Sequence, residues 1–501
     1  MGEGEAAPAG GGMAVIAARG SALNSAQWFA NKLATACAMF LVARLVSPEE
    51  YGLASQSLAI YQFAVFLAPL TLGDVLIARP RHLRALTPSA RALAWKLGLS
   101  MSAVVLAVVP FAVLAYPGYP AASLAGLLVA LAARPLLEAS LVVPLSQLRV
   151  ALSFRRIALV DGLVQFAATC ATLLSAAIGA GAAALVLPQL AGVAARARIY
   201  GRGSDRDSPA PRSAQRQRML YSAFLPAALA QYSHNVLVML EVLVLGFVAG
   251  GSETGLFGLA FTLAAQANTV IAFQLGQVLQ PIFGHLQDDR RRQVTGFIRV
   301  QRALAAVCIP VAVSQAVIAE PLFRLLFPTH WQGAVPAFQV LSLAQAVYFC
   351  SGPTMACLRA QRRFSYLLWW QSIQLLLSLP VYAWGAHSGG AVGVSVASGS
   401  AWALSMVIGM RAVLTGVEPQ PLRTVLAVLL QPWIVCLPAL AAGLFLSRVL
   451  SRLGTVGDAV TIMIVAPVLL LAMIGCMRLL NRDVDHAYRA AKEAVIRRIR
   501  A

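Results

Sequence analysis

Nowhere in this chain does a polar stretch run long enough to enclose a core. The two longest, Arg196–Arg218 and the tail Asn481–Ala501, fall short of the ~40 residues below which chains seldom fold unaided. Between them lies one apolar segment after another, at 22–46, 53–78, 92–116, 121–146, 157–178, 182–200, 219–249, 255–284, 294–319, 337–358, 364–386, 390–414, 421–447 and 458–480. Nearly all have the ~20 residues that a helix needs to cross a ~30 Å hydrocarbon layer. Apolar residues make up 59% of the 501 and charged residues 12%, where soluble domains carry about 25% charge. Mean hydropathy is +0.75. The expected fold is an all-α polytopic membrane protein of about fourteen transmembrane helices. That leaves no room for a soluble catalytic, ATP-hydrolysing or DNA-binding domain.

A net charge of +20 would suggest nucleic acid in a soluble protein. Its distribution points elsewhere. With the N-terminus placed in the cytoplasm, 32 of the 39 Lys and Arg fall in inside connections and only Arg44, Arg324, Arg448 and Arg452 in outside ones. That alternation, loop by loop, follows the positive-inside rule and places both termini in the cytoplasm. The expected neighbour of this charge is cytoplasmic-leaflet lipid rather than nucleic acid. The seven cysteines sit in or beside apolar spans without a CxxC pair, and read as small buried residues. The opening MGEGEAAPAGGG is acidic, the wrong sign for a signal peptide, so the first span is expected to be retained.

The chain repeats itself. E-x-G-L stands at Glu50–Leu53 and Glu253–Leu256, and L-G-x-V-L at Leu72–Leu76 and Leu275–Leu279, both pairs 203 residues apart. A looser echo links LRVALSFRR at 148–156 with LRAQRRF at 358–364. Six spans separate equivalent positions, and an even number preserves orientation, so the repeat is parallel about an axis along the membrane normal. The expected organisation is a disordered tail 1–12, a six-helix lobe 13–200, a basic linker 201–218, a second six-helix lobe 219–415, two further helices in 416–480 and a basic tail 481–501. A central chamber between the lobes is the default place for a transport site.

Several polar residues lie where lipid would penalise them. Asn24, Gln27 and Asn31 form one stripe of the first span, with Lys32 on the next. A cation at mid-span costs about 2.5–3.5 kcal/mol on insertion scales unless water or an anion meets it. Lys32 is therefore either half of a buried ion pair or a cation awaiting an anionic substrate group. Arg134 and Glu138 stand one helical turn apart and can neutralise each other. Asp74 and Asp161, near Arg79 and near Arg155 and Arg156, suit a salt-bridged inner gate or plain interfacial snorkelling. Glu241 shares a face with His234, and Gln231 stands three residues earlier. It reads as a proton- or sodium-coupling carboxylate or as a hydrogen-bonded packing acid. Gln266, Gln277 and Gln280 align with Thr269 and Phe273, a face suited to sugars or to interhelical hydrogen bonds.

No GxxxxGK[ST] loop for ATP, no HExxH and no metal-ligating cluster occurs in the sequence. No catalytic residue set and no cofactor site is expected. A membrane glycosyltransferase or ligase would need a longer outside loop for acceptor and base.

The stretch LVARLVSPEEYGLASQSLAI with LGDVLIARPR, then LRVALSFRRIALVD, MLEVLVLGFVAGGSETGLFGLA, VLQPIFGHLQDDRRR and LLFPTHWQGAVPAFQVL, resembles the bacterial polysaccharide transporters. These are flippases of lipid-linked oligosaccharides in the multidrug/oligosaccharidyl-lipid/polysaccharide exporter superfamily. The resemblance covers roughly residues 20–480. It implies two six-helix lobes plus two helices, alternating access, and movement of an undecaprenyl-diphosphate-linked glycan to the periplasmic face of the inner membrane. A polysaccharide polymerase and export machinery would be partners. Relatives often have Asp where this chain has Glu241, and Tyr where it has Phe257. On this reading Lys32 and Arg134 meet the diphosphate; Asn24, Gln27, Asn31, Gln266 and Gln277 meet sugars; Glu241, with Glu138, couples to an ion gradient. A cation-coupled drug or metabolite antiporter of the same superfamily is the rival reading.

Overall fold

A computed structural model describes residues 35, 37–79, 82–151, 153–202, 213–286, 289–361, 363–415, 417, 421–480 and 485. Among them there are helices and turns but no strand. The helices are α1 Pro48–Ala64, α2 Thr71–Ile77, α3 Leu83–Ala115, α4 Ala121–Leu131, α5 Arg134–Val150, α6 Phe154–Ala177, α7 Ala182–Gly201, α8 Ala214–Val248, α9 Gly250–His285, α10 Arg290–Leu326, α11 Ala334–Cys350, α12 Gly352–Ala360, α13 Phe364–Leu414, α14 Pro421–Leu450, α15 Thr455–Val460 and α16 Ala466–Leu480. Ten stretches of the described residues are long and apolar enough to cross a membrane. This is a multi-pass membrane protein.

Prolines and glycines set the breaks. The segment 53–78, expected as one span, is α1 and α2 parted by residues 65–70. Pro69 explains the break, since it has no N–H and disfavours helix at the residue before it. The second copy of the motif has Ala272 at the matching place, and α9 runs unbroken through it. Pro135 restarts the helix at α5, where a missing N–H costs nothing. Gly389 and Gly390 divide α13 into two rods, as the two expected spans require, with Gly390 at φ +53° and ψ −131°. Gly181, ahead of α7, takes φ +54° and ψ −132°. The chain makes the same left-handed turn twice, at nearly the spacing of the sequence repeat, and glycine alone enters that region without strain.

The residues form two compact units, one of 1–46 and 53–243, the other of 47–52 and 244–501. In the first, α3, α5 and α7 pack together around Leu72, Leu76, Ala90, Leu124, Leu128 and Phe224. In the second, α10 is the enclosed centre. Buried residues make up 67% of its most apolar window, against 22% in the spans of α14 and of α15–α16. Its core gathers Cys308, Val313, Met406, Met410, Val413 and Cys436. Segment 47–52 seats in this second unit by backbone contact. A Cβ on Gly52 would strike the Gly251 carbonyl, and one on Gly255 would strike the Pro48 carbonyl. Tyr51 then reaches Thr262, hydroxyl to hydroxyl at 3.4 Å, and sets its ring edge-on to buried Trp331 at 5.8 Å.

Candidate functional site

The clearest polar constellation in the first unit begins at the Pro135 restart, which places Arg134 in the opening turn of α5. Arg134 Nε donates to Glu138 Oε1 at 2.8 Å, and its guanidinium lies 5.4 Å over the ring of Tyr61 on α1. Glu138 and Tyr61 are buried, while the Arg134 side chain keeps 34% of its exposure. The pair anticipated from i, i+4 spacing thus forms, reinforced by a cation–π contact that spacing could not foresee. A buried carboxylate needs such a partner, because its desolvation would otherwise cost several kcal/mol.

Glu241 is fully buried in α8. The helix on either side of it is met from other elements. Tyr116, just past α3, donates to the Leu243 carbonyl at 3.3 Å. Gln62 Nε2 donates to Met239 Sδ at 3.4 Å, and Gln56 is buried on the same helix α1. Gln231 lies on the exposed part of α8 and donates to Asn235 Oδ1 at 3.0 Å. The polar stripe therefore passes from surface to interior along one helix. The side chain of His234 lies outside the described residues.

Both acids of the expected inner gate have partners among the described residues. Asp74 meets Arg149 at 3.8 Å rather than Arg79. Asp161 accepts from the Tyr200 hydroxyl at 3.0 Å, which also approaches the Ile157 carbonyl; Arg155 and Arg156 are exposed. In the second unit Gln266 is half-buried on α9, and its enclosed Oε1 accepts no hydrogen bond among the described residues. Nearby in the chain, Gln315 donates to the Ala264 carbonyl at 3.4 Å. The Gln277 side chain lies outside the described residues, as do Asn24, Gln27, Asn31 and Lys32. No three His, Cys, Asp or Glu gather as metal ligands among the described residues.

Sequence reasoning passed over Tyr61, Arg149, Tyr200 and Glu253. The last is the plainest: Glu253 Oε2 accepts from the Ala391 amide at 2.7 Å, capping the second rod of α13. The repeated E-x-G-L marked Glu253 as special without showing its partner.

A protein of the Klebsiella pneumoniae cps region, described as an uncharacterized membrane protein, is 24% identical over 30% of this chain and 31% of its own length. The succinoglycan biosynthesis transport protein ExoT of Rhizobium meliloti is 24% identical over 70% of this chain and 71% of its own. The chain therefore spans under a third of one curated relative and somewhat over two thirds of the other. Among solved structures, the lipid II flippase MurJ in an inward closed conformation superposes with TM-score 0.68 at 15% identity, over 92% of this chain and all of that one. At that identity the likeness speaks for the fold. The family model described as polysaccharide biosynthesis protein matches residues 41–336, more than half of the chain, and this chain belongs to that family.

Proposed function

We propose that the chain is a flippase moving polyprenyl-diphosphate-linked oligosaccharide units from the cytoplasmic to the periplasmic face of a bacterial inner membrane. Both termini are then cytoplasmic, and transport proceeds by alternating access without chemistry on the substrate. The observation that carries this is the family match together with a fold shared along nearly the whole chain with a lipid II flippase.

The physical task is to take a diphosphate and several sugars through hydrocarbon, where each unsatisfied polar group costs several kcal/mol. Lys32, and the outer guanidinium nitrogens of Arg134, are assigned to the diphosphate. Asn24, Gln27, Asn31, Gln266 and Gln277 are assigned to sugar hydroxyls, while the polyprenyl tail stays in lipid. Glu241 is the first candidate for coupling; one charge crossing 100 mV supplies about 2.3 kcal/mol. Withdrawal of product by a periplasmic polymerase would pull in the same direction.

The test is reconstitution in liposomes with defined lipid-linked sugars, scoring which head groups become accessible on the far leaflet. Lys32→Ala is expected to insert normally and to move none. Failure of the unsubstituted protein to move lipid-linked sugars, with counter-transport of small cations instead, would establish the antiporter.

A further inference from the structure

The two copies of the repeat differ in one chemical respect at their arginine-bearing ends. Asp74 in LGDVL becomes Gln277 in LGQVL, and the echo that aligns Phe154 with Phe364 sets Asp161 against Gln371. Both carboxylates are amides in the second copy, while Arg149 keeps a counterpart in Arg359.

Three arginines of the second unit gather where α13 ends. Arg363 Nη1 donates to the Ala412 carbonyl at 2.7 Å. Arg290 Nη2, from the start of α10, donates to the Thr415 carbonyl at 2.8 Å. Arg411 stands exposed in the last turn. The two carbonyls held by Arg363 and Arg290, and Arg411 itself, lie within five residues of one another along the chain. Among the described residues none of the three is paired with a carboxylate. Asp289, beside Arg290 in sequence, turns its own carboxylate to the Arg292 amide at 2.9 Å. Arg290 Nε is enclosed and meets no acceptor among the described residues.

A helix C-terminus offers about half a negative charge, too little for three guanidiniums. Burial, and then the adjacent charge of Arg290, hold the Arg363 pKa below the ordinary arginine value. An anion would offset the repulsion between the guanidiniums, and a guanidinium fork matches the oxygens of a phosphate.

We propose that Arg290, Arg363 and Arg411 form a binding site for a phosphate group at this end of the second unit, supplied by a lipid headgroup or by a soluble phosphate. With the orientation proposed above, the site faces the cytoplasm. It uses none of the residues assigned to the transported substrate.

The full chain in phosphatidylcholine nanodiscs provides the test. Its thermal unfolding midpoint is followed while phosphatidylglycerol is mixed into the bilayer, or while inorganic diphosphate is added to the buffer. A rise in midpoint with phosphatidylglycerol alone identifies a lipid headgroup, and a rise with diphosphate alone a soluble ligand. Arg411→Gln removes a side chain that holds no backbone group, so the variant folds, and it is expected to weaken the response about tenfold, the worth of one charge-assisted contact. Arg202→Gln, an exposed arginine of the first unit, is expected to leave the response unchanged. No midpoint shift with either source, or equal weakening by Arg411→Gln and Arg202→Gln, overturns the site.

Discussion

The acids singled out in the first unit meet side chains, whereas in the second Glu253, Arg290 and Arg363 meet the ends of helices. Arg134 holds Glu138, Arg149 holds Asp74, and Tyr200 serves Asp161. Past residue 243, Glu253 caps the Ala391 amide, while Arg363 and Arg290 cap the carbonyls of Ala412 and Thr415. Ion pairs occur there as well, Arg324 with Glu320 and Asp458, and Arg478 with Asp485. The repeated motifs thus stand in two different electrostatic settings. Ion pairs between helices tie two elements by side chains alone, and either partner can be lost separately. A charge on a helix terminus fixes where that helix starts or stops, so its loss is felt along the backbone.

The contact that both copies share should give the largest effect. Gly52 and Gly255 stand at the same place in the two E-x-G-L motifs, and each approaches backbone of the other's segment. Backbone cannot yield as a flexible side chain does, so the penalty for Gly52→Val or Gly255→Val should exceed the usual 1–3 kcal/mol of overpacking. Either variant is expected to abolish the monodisperse peak of detergent-extracted protein in size-exclusion chromatography. Gly126→Val and Gly296→Val, where a new Cβ meets nothing within 4 Å, are expected to keep it. Equal behaviour of all four would mean that the crossing tolerates separation.

Next in size is the interior pair of the first unit. Arg134→Ala strands a carboxylate with little exposure, which costs about 3 kcal/mol at the lower end of the range for broken buried pairs. Because Arg134 is partly exposed, solvent softens the loss. Glu138→Gln introduced into the same variant should restore most of the stability, since the stranded charge is gone. Thermal unfolding of the four proteins of this cycle measures the coupling, and additive effects would show that the pair is not a unit.

How much of this could be read from residues alone follows from where each partner lies. Arg134 and Glu138 share a helix, so spacing announces them. Tyr61, Arg149 and Tyr200 approach from other helices, and one-dimensional spacing carries no such information. The span positions were legible because the bilayer sets both their length and their composition. Their interruptions were legible only in part: Pro69 breaks the second expected span, a consequence available in the residue itself and passed over in favour of the apolar run. The break in α13 falls at the junction of two expected spans, with Gly389 between them and Gly390 at the start of the second. The stripe of the first span remains a sequence-based assignment, its residues lying outside those described.

Glu253 tests the helix-end solution at intermediate size. Glu253→Ala removes the acceptor for Ala391 and should cost about 1–2 kcal/mol, the range for a lost N-cap. Glu50, its counterpart, accepts from the Ser47 amide at 2.9 Å, while the Ser47 hydroxyl accepts from the Glu50 amide at 3.3 Å. That reciprocal box closes one helix on itself, and Glu50→Ala leaves its Ser47 half in place. The expected loss is therefore smaller, under about 1 kcal/mol. Reversal of this order in thermal unfolding would mean that the break in α13 is held by packing rather than by the carboxylate.

The smallest effect belongs to Asp74. It lies 3.8 Å from Arg149, with side-chain exposures of 71% and 45%, so water already solvates both charges. Exposed pairs of this kind contribute about 0–1 kcal/mol, and salt screens what remains. Asp74→Asn should accordingly leave the unfolding midpoint almost unchanged at physiological ionic strength. If export nevertheless falls in the same variant, the carboxylate matters during movement rather than in the resting fold. The amide that stands at this position in the second copy, Gln277, would then mark a division of labour between the copies, with only the first retaining a charge that can make and break a contact.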